Sequence, residues 1–453
     1  MARGGSLDTG HPIRDRRFLS LAMLEFWERF AMAGVKSLLV LILVDQIFAH
    51  DLAPALGAPT VRSAFERWFG PLSSVGLASQ VYGYAGALLY LAVPLGGLIG
   101  DLFARRRLVI YGAAGAMLAG LVLMIGVATF LPGLALFMLA TGTLKGNLSA
   151  QVGQLFHDEG ERQRGYAVYL GFLNAGVICG PLVCGGVAAV FGWSCAIGAA
   201  ALAISIGTLG YAASAGRSAD VVAPDRAPSI RSGEGSGLRG IAILVSAILS
   251  VYFCWAAYEQ LGDIFLIWAR ARIELRVAGW TMPVAWFVSL DGLFTLVLIV
   301  AVQAALGRAA RRGNAPAAQE MILAGGLACA AGYGVLALAS RYAGPELLSI
   351  GWGLLYLLLI DLAVVLVWPS GLSLIAANAP PRFVGFWMGV FYLHGFFASL
   401  WVGISGSTYG RISDSGFWLL QAGMAGVSVA LALVAILLRR RRGAPLQAIT
   451  TSA

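Results

Sequence analysis

Charged residues are scarce in this chain: they make up 12% of its 453 residues, about half the share usual in soluble proteins. Hydrophobic residues make up 59%. A soluble fold cannot hide that much apolar surface, and a disordered chain would have the opposite composition. Only five cysteines are present, and all lie in apolar runs without metal-ligand spacing, so neither a disulfide framework nor a metal site is expected. We therefore expect a membrane protein that crosses the bilayer many times.

Several other signals are absent. No cleavable signal peptide is recognisable, because residues 1–20 are polar and rich in arginine. No metal cluster, nucleophilic triad or phosphate-binding loop is visible, and the loops are too short for a catalytic domain. We therefore expect no cofactor, and an intramembrane enzyme or a scaffold is the least favoured class of function.

Long apolar runs are abundant instead. A bilayer core of ~30 Å requires roughly 20 helical residues. Twelve stretches are long enough, near 17–48, 72–100, 106–129, 134–156, 164–189, 193–213, 239–269, 279–306, 318–340, 347–378, 383–409 and 415–438.

Arginine is distributed unevenly between the loops on the two sides of these spans. The side that holds both ends of the chain carries about three times as many basic residues as the other. By the positive-inside rule both termini are cytoplasmic, and the protein is a multi-pass protein of the cell (inner) membrane. Topology thus explains the net charge of +9, and nucleic acid is not an expected partner.

Residues 214–238 interrupt the hydropathy with a polar stretch rich in Gly, Pro, Ser and Ala, which predicts a cytoplasmic linker. The linker separates an N-terminal six-helix bundle (1–213) from a C-terminal one (239–440), and 441–453 form a cytoplasmic tail. Two such bundles are the architecture of the major facilitator superfamily, whose binding site lies between halves that rock. The predicted fold class is therefore an all-α membrane protein of that superfamily, with twelve transmembrane helices.

The loop after the second span, residues 96–107, resembles a loop of the same superfamily: a glycine-rich turn, Asp101, and arginines from Arg105 onwards. An aspartate here can accept hydrogen bonds from an arginine or a helix N-terminus and so latch one conformation. Asp101 and Arg105 are the predicted gating residues. Ordinary arginines of a cytoplasmic loop are the alternative interpretation.

Four charged residues lie in the middle of the first span, away from its ends: Glu25, Glu28, Arg29 and Lys36. At 100° per residue they fall within an arc of about 100°. A charge in mid-membrane costs about 2.5–3.5 kcal/mol on insertion scales. This face must therefore line a cavity or meet charges on other helices.

The fourth span adds Lys145, and the second half of the chain contributes Glu259, Asp291 and Asp361. Acids thus outnumber bases in the membrane interior, and a surplus carboxylate in a dry site takes up a proton. This surplus predicts a proton-coupled protein, with a purely structural salt-bridge network as the alternative. Bases in one half and acids in the other suit a dipolar solute such as an amino acid, a short peptide or an amine-bearing antibiotic.

Short segments in several spans resemble the proton-dependent oligopeptide transporter family. They are residues 25–34 (two glutamates, then Arg-Phe), 144–149 (Lys-Gly-Asn), 172–176 (Phe, Asn and Gly), 255–260 (Trp to Glu-Gln), and 369–373 with 385–390.

The resemblance implies roles for individual residues. Those that would couple proton movement are Glu25, Glu28, Glu259 and Asp361. Those that would contact the substrate are Arg29, Lys145, Asn174, Trp255, Glu259 and Asp291. Lys36 and Glu259 would form a salt bridge between the bundles that protonation of Glu259 breaks.

The chain departs from the family pattern in its pocket. Met32 and Ala33 replace two tyrosines, and Asp291 stands at an asparagine position. Asp361 lies three residues before Val364, which is the position of the family's glutamate. The coupling residues are thus mostly retained while the pocket differs.

The predicted function is proton-coupled import of short peptides or peptide-like solutes by alternating access, by a monomer in the bilayer. The alternative is a proton-driven exporter of cationic drugs or polyamines, since the second half offers acids without bases. Arg29 and Lys145 speak against it, because they would repel a pure cation.

Overall fold

The computed structural model describes residues 16–49, 55–102, 106–155, 159–215, 238–277, 279–342, 346–378 and 384–440. Their helices are α1 (Arg16–Ile42), α2 (Ala58–Phe69), α3 (Ser74–Leu102), α4 (Arg106–Met124), α5 (Phe130–Gln154), α6 (Glu159–Phe191), α7 (Trp193–Ala215), α8 (Leu238–Tyr258), α9 (Ile264–Arg272), α10 (Trp286–Arg311), α11 (Ala318–Tyr342), α12 (Ile350–Asn378), α13 (Val384–Tyr392), α14 (His394–Gly406) and α15 (Asp414–Arg440). Two short strands, β1 (Arg276–Val277) and β2 (Trp280–Thr281), form an antiparallel hairpin.

Eleven helical segments of the described residues are long and apolar enough to cross a membrane. Helix α5 is also 25 residues long, and its second half carries the polar residues Lys145, Asn147 and Gln151. The outward faces of the helices are apolar, as lipid requires: Leu209, Val300 and Leu437 are 70%, 65% and 61% exposed. The prediction of an all-α membrane protein is confirmed, and eleven of the twelve predicted spans have the length and hydropathy needed to cross a membrane.

One predicted boundary is wrong. The sequence predicts a span over 279–306, but α10 begins only at Trp286. The preceding residues form the β1–β2 hairpin, in which Arg276 pairs with Thr281. Gly279 has a φ of 83°, which ends the regular backbone, and Pro283 cannot donate a helical hydrogen bond.

Two of the expected spans are each divided into two helices. Helix α8 ends at Tyr258, where a 3₁₀ turn (Glu259–Gly262) leads into α9. Likewise α13 ends at Tyr392 and α14 begins at His394. Discontinuous helices in membrane transport proteins present side chains and freed backbone groups to a central site. The first break places Glu259 where two helix segments meet.

Helices α1 and α6 approach each other closely because glycines leave room. A Cβ atom on Gly180 would overlap the carbonyl oxygen of Phe30, and one on Gly176 would overlap that of Phe26. Small residues allow such packing between membrane helices. The contact fixes the rotation of α1 and hence the direction of its charged side chains.

The helices of the first half of the chain (α1–α7) and those of the second half (α8–α15) meet at one end of the molecule. We call this end, where α1 ends and α3 begins, the distal face. A short π-helical extension of α1 (Leu43–Ile47) carries Asp45, whose Oδ1 accepts a hydrogen bond from Arg270 Nη2 at 3.1 Å. Arg411 donates to the carbonyl of Phe69 at 3.4 Å. Deeper in the same interface, Ser79 donates to the fully buried Asp263.

The α1–α6 contact predicts an asymmetric response to added methyl groups. Gly180→Ala should lower the free energy of unfolding by about 1–3 kcal/mol, because two backbones must separate. Gly171→Ala, on the same helix, should have little effect, because nothing lies within 4 Å of its Cβ position. Unfolding of the purified protein in detergent measures both; equal effects would contradict the packing described.

Candidate central binding site

A cavity of about 210 Å³ lies between the two groups of helices. Met32 and Ala33 line it from α1, so the two positions where the family has tyrosines present apolar groups here. The chamber is thus bordered by charges from both halves of the chain. Its charged and large aromatic lining residues are Arg29, Lys36, Tyr82, Trp255, Tyr258, Glu259 and Asp291.

On α1, one guanidinium holds two carboxylates. Arg29 Nε lies 2.5 Å from Glu28 Oε2 and 3.2 Å from Glu25 Oε1, and Arg29 Nη2 lies 2.8 Å from Glu28 Oε1. Tyr169 on α6 donates to Glu25 Oε2 at 2.5 Å. All three charged groups are buried. Such bidentate, charge-assisted bonds are the strong ones, so they fix the guanidinium beside the cavity.

Lys145 on α5 is half-buried and lies within electrostatic reach of Arg29, Glu28 and Glu25. Its charge balances the second glutamate, so the N-terminal cluster contains two acids and two bases. Lys145 is not among the residues that line the cavity. On the same helix, Asn147 donates to the carbonyl of Gly96 at 2.8 Å and joins α5 to α3.

Lys36 and Glu259 connect α1 with the 3₁₀ turn across the interface. Lys36 Nζ lies 2.7 Å from Glu259 Oε2, and Glu259 is 7% exposed while the Lys36 side chain is 25% exposed. Two further donors hold the second oxygen: Tyr90 at 3.3 Å and Trp255 Nε1 at 3.2 Å. The carboxylate thus has a base and two neutral donors, all of which favour its charged form.

Asp291 on α10 and Asp361 on α12 lie within electrostatic reach of each other. The hydroxyl of Tyr258 donates to both oxygens of Asp291, at 2.9 and 3.2 Å. Thr295 donates to Asp361 Oδ1 at 3.2 Å. Asp361 is fully buried and Asp291 is 6% exposed. No Lys, Arg or His of the described residues forms a salt bridge with either.

The remaining residues singled out from the sequence lie elsewhere. Asn174 donates to the carbonyl of Leu170 on its own helix at 2.8 Å and does not line the cavity, although Val177, one turn further, does. Asp101 accepts a hydrogen bond from Arg106 near the start of α4. Arg105 lies outside the described residues.

Sequence reasoning missed the tyrosines that hold the carboxylates. Tyr90 and Tyr169 stand in apolar runs where aromatic side chains usually pack or face lipid, so no pattern marks them. The Ser79–Asp263 contact was missed as well, because it depends on how α3 and the 3₁₀ turn meet. In the part of the chain that the structure describes, no group of three or more His, Cys, Asp or Glu side chains could hold a metal ion.

Residues 29–403 match the family model described as Major Facilitator Superfamily. The chain belongs to this superfamily. The fold expected from the sequence is therefore confirmed, and with it the general character of a membrane transport protein.

Among curated relatives, the peptide transporter YePEPT of Yersinia enterocolitica is 24% identical over 96% of this chain and 94% of its own. A di-/tripeptide transporter of Lactococcus lactis is 30% identical over 38% of this chain and 32% of its own. Both matches agree with the resemblance of the short sequence motifs to the proton-dependent oligopeptide transporter family.

Solved structures with the same fold are also peptide transporters. A mutant of peptide transporter POT in complex with alafosfalin has a TM-score of 0.79 and 21% identity, covering 97% of this chain and 96% of the other. A POT family transporter in complex with 5-aminolevulinic acid has a TM-score of 0.74 and 16% identity, covering 97% and 98%. At these identities the likeness concerns the fold.

The Lys36–Glu259 contact generates a stability prediction. Lys36→Met should lower the free energy of unfolding by about 2–3 kcal/mol, because it leaves a buried carboxylate without its base. The double variant Lys36→Met with Glu259→Gln should recover most of the loss. Arg62→Met is the control, since its 4.0 Å contact with Glu66 is partly exposed and such pairs contribute less than about 1 kcal/mol. Unfolding in detergent measures the free energy of each variant. If the double variant recovers none of the lost free energy, a net attraction between Lys36 and Glu259 is contradicted.

Proposed function

We propose that this chain is a proton-coupled symporter that imports short peptides or peptide-like solutes bearing an amine and a carboxylate, by alternating access. One observation carries the proposal: a single cavity between the bundles is bordered by Arg29 and Lys36 from one half and by Glu259 and Asp291 from the other. In this one cavity a dipolar solute can pair its carboxylate with a base and its ammonium group with an acid. A catalytic activity is no part of the proposal.

The size of the cavity favours small solutes. Its volume of about 210 Å³ lies below the ~300–1,000 Å³ typical of sites for drug-sized ligands. Met32 and Ala33 offer no hydroxyl groups from α1 to a peptide backbone, which leaves the hydroxyls of Ser37, Tyr82 and Tyr258 and the charged groups of the lining to recognise the solute. This combination supports dipeptides and compact amino-acid-like amines better than longer peptides.

Protonation of Glu259 provides a physical link between the proton and the gate. The ionised carboxylate attracts Lys36 at 2.7 Å and so holds the bundles together toward the distal face. A neutral Glu259 loses most of that attraction, and the lysine is freed. Glu25, Glu28 and Asp361 are the other carboxyl groups that we assign to proton coupling.

The proposed orientation follows from the arginine distribution. The distal face is external, both termini are cytoplasmic, and the protein resides in the cell (inner) membrane as a monomer. We assign residues 1–213 and 239–440 as the two moving units; the proposed linker 214–238, apart from its ends, and the proposed tail 441–453 lie outside the described residues. Arg29, Trp255, Glu259 and Asp291 line the cavity and would contact the substrate. Lys145 and Asn174, which the sequence also assigns to the substrate, do not line this cavity, and Lys145 would act through its electrostatic reach to Arg29. Asp101 and Arg105 would act in gating on the cytoplasmic side.

Export of cationic drugs or polyamines is the second candidate. Asp291 and Asp361 favour this candidate because neither forms a salt bridge with a base among the described residues. Their negative charge would attract a cation. Arg29 and Lys36 line the same cavity, however, and would repel a solute that carries only positive charge. Import of a dipolar solute therefore fits the site better.

Uptake into proteoliposomes tests proton coupling. An inward proton gradient should drive accumulation of a labelled dipeptide, and unlabelled dipeptides should compete with it. Glu28→Gln should reduce gradient-driven uptake by at least about tenfold, because it removes a protonatable group from the Arg29 cluster. The control Glu66→Gln changes a partly exposed glutamate on α2 and should leave uptake unchanged. Cation efflux indifferent to peptides would favour the exporter, and flux independent of protons would reject both candidates.

Arg29→Ala separates recognition of the two ends of the solute. Its guanidinium borders the cavity, so the variant should bind solutes with a free carboxylate at least about tenfold more weakly. Amidated analogues should lose much less, because they carry no charge for Arg29 to meet. Competition against labelled solute measures both affinities, and equal losses would refute the assigned carboxylate contact.

A further inference from the structure

The break between α13 and α14 lies next to the contact between Lys36 and Glu259. Helix α14 begins at this break with His394 and Gly395, and both are buried. Neither lines the central cavity, so neither contacts a solute bound there. Each of them instead packs against one of the two side chains that donate a hydrogen bond to Glu259 Oε1.

His394 packs against the indole of Trp255. The two ring centroids lie 5.2 Å apart, and the rings are nearly perpendicular, at 87°. Edge-to-face packing of this kind is one of the arrangements that aromatic rings prefer. Trp255 Nε1 lies 3.2 Å from Glu259 Oε1, at the upper end of the usual range, so a small rotation of the indole would break the bond. The imidazole therefore holds the indole in the orientation in which it donates to the carboxylate.

The imidazole is itself fixed by the helix before the break. His394 Nδ1 lies 2.5 Å from the carbonyl oxygen of Phe391, the last-but-one residue of α13. A carbonyl oxygen only accepts, so Nδ1 carries the hydrogen. The ring of Phe391 also packs against the imidazole, with the two centroids 4.9 Å apart. The ring of His394 is thus held between α13 and the indole on α8.

Gly395 supports the second neutral donor. A Cβ atom on Gly395 would overlap the ring of Tyr90, so only glycine leaves room for that ring. Tyr90 donates to the same oxygen, Glu259 Oε1, at 3.3 Å. The first turn of α14 therefore touches both neutral donors of one carboxylate oxygen, while Lys36 holds the other oxygen at 2.7 Å.

The ionisable groups that face Glu259 come from five helices. In the described residues they are Lys36 on α1, Tyr82 and Tyr90 on α3, Tyr258 on α8, Asp291 on α10 and His394 on α14. Lys36 and Tyr90 are in hydrogen-bond contact with the carboxylate, and the third donor, Trp255, does not titrate. A change in the position of Trp255 or Tyr90 therefore alters the balance between charged and neutral Glu259 without adding or removing a charge.

We propose that the first turn of α14 sets the acidity at which the ion pair across the bundle interface opens. In this role His394 positions the indole of Trp255, and Gly395 positions the ring of Tyr90. The inference rests on the proposed function, in which protonation of Glu259 breaks that ion pair. A hydrogen bond to a carboxylate stabilises its charged form. With both donors in place, a higher proton concentration is needed to neutralise the carboxylate and open the contact.

The pH dependence of uptake into proteoliposomes tests this role. Uptake of a labelled dipeptide is measured at a constant pH difference, so that the driving force stays the same while the absolute pH varies. His394→Ala frees the indole, and loss of its hydrogen bond removes a stabilisation of the ionised Glu259. The pH of half-maximal uptake should therefore rise by about one unit, a tenfold change in proton concentration.

Two further variants separate positioning from charge. His394→Phe keeps a ring against Trp255 and removes the titratable nitrogens, so it should keep the wild-type midpoint. Trp255→Phe removes the Nε1–H donor and should itself raise the midpoint by about one unit. Adding His394→Ala to Trp255→Phe should raise it no further, because the donor that His394 positions is already absent. A shift in His394→Phe as large as in His394→Ala, or additive shifts in the double variant, would overturn the positioning role.

Gly395→Ala tests the other donor without removing a ring from the core. Its Cβ displaces the ring of Tyr90 from Glu259, so the midpoint should rise in the same direction as in His394→Ala. Gly389→Ala on α13 is its control, because nothing lies within 4 Å of that Cβ position. This control should keep the wild-type midpoint.

Phe397→Ala is the control for His394→Ala. It removes another ring of α14 that packs edge to face on α8, since the centroids of Phe397 and Tyr252 lie 6.4 Å apart at 88°. Its midpoint should equal that of the wild type. A wild-type midpoint in His394→Ala or in Gly395→Ala would overturn the role of that residue while leaving proton-driven uptake intact. Absence of proton-driven uptake in the wild type would reject the proposed function itself.

Discussion

An ionised side chain in the membrane interior must have a partner, and this constraint organises the molecule. An uncompensated charge there costs several kcal/mol, so each one demands an opposite charge, a hydrogen-bond donor or a proton. Arg29 meets that demand for Glu25 and Glu28, and Lys36 meets it for Glu259 across the interface. The charges therefore specify which helices face each other.

The backbone is shaped to serve these contacts. Glycines on α6 let α1 approach closely, so its charged face turns toward the interface instead of lipid. The break after Tyr258 replaces a regular helix with a 3₁₀ turn, which carries Glu259 to Lys36. Local irregularity and charge pairing thus depend on each other.

Much of the fold could be predicted from the sequence because the bilayer imposes a length and an apolar character on each span. The charged face of α1 could also be predicted, since helical periodicity places Glu25, Arg29 and Lys36 within one arc. Hydrophobic periodicity cannot locate the points where a helix is interrupted. It therefore predicted that α10 also covers the β1–β2 hairpin, and it did not indicate the break at Glu259. The proximity of Asp291 to Asp361 depends on the relative heights of α10 and α12, which tertiary packing alone decides.

The most direct test of the account is an experimental structure of the protein with a bound dipeptide or a comparable amine-bearing carboxylate. We expect the solute to lie in the chamber between the bundles, with its carboxylate beside Arg29 and its ammonium beside Asp291. A solute bound elsewhere, or bound with its ends reversed, would contradict the claim that charges from the two bundles form one site.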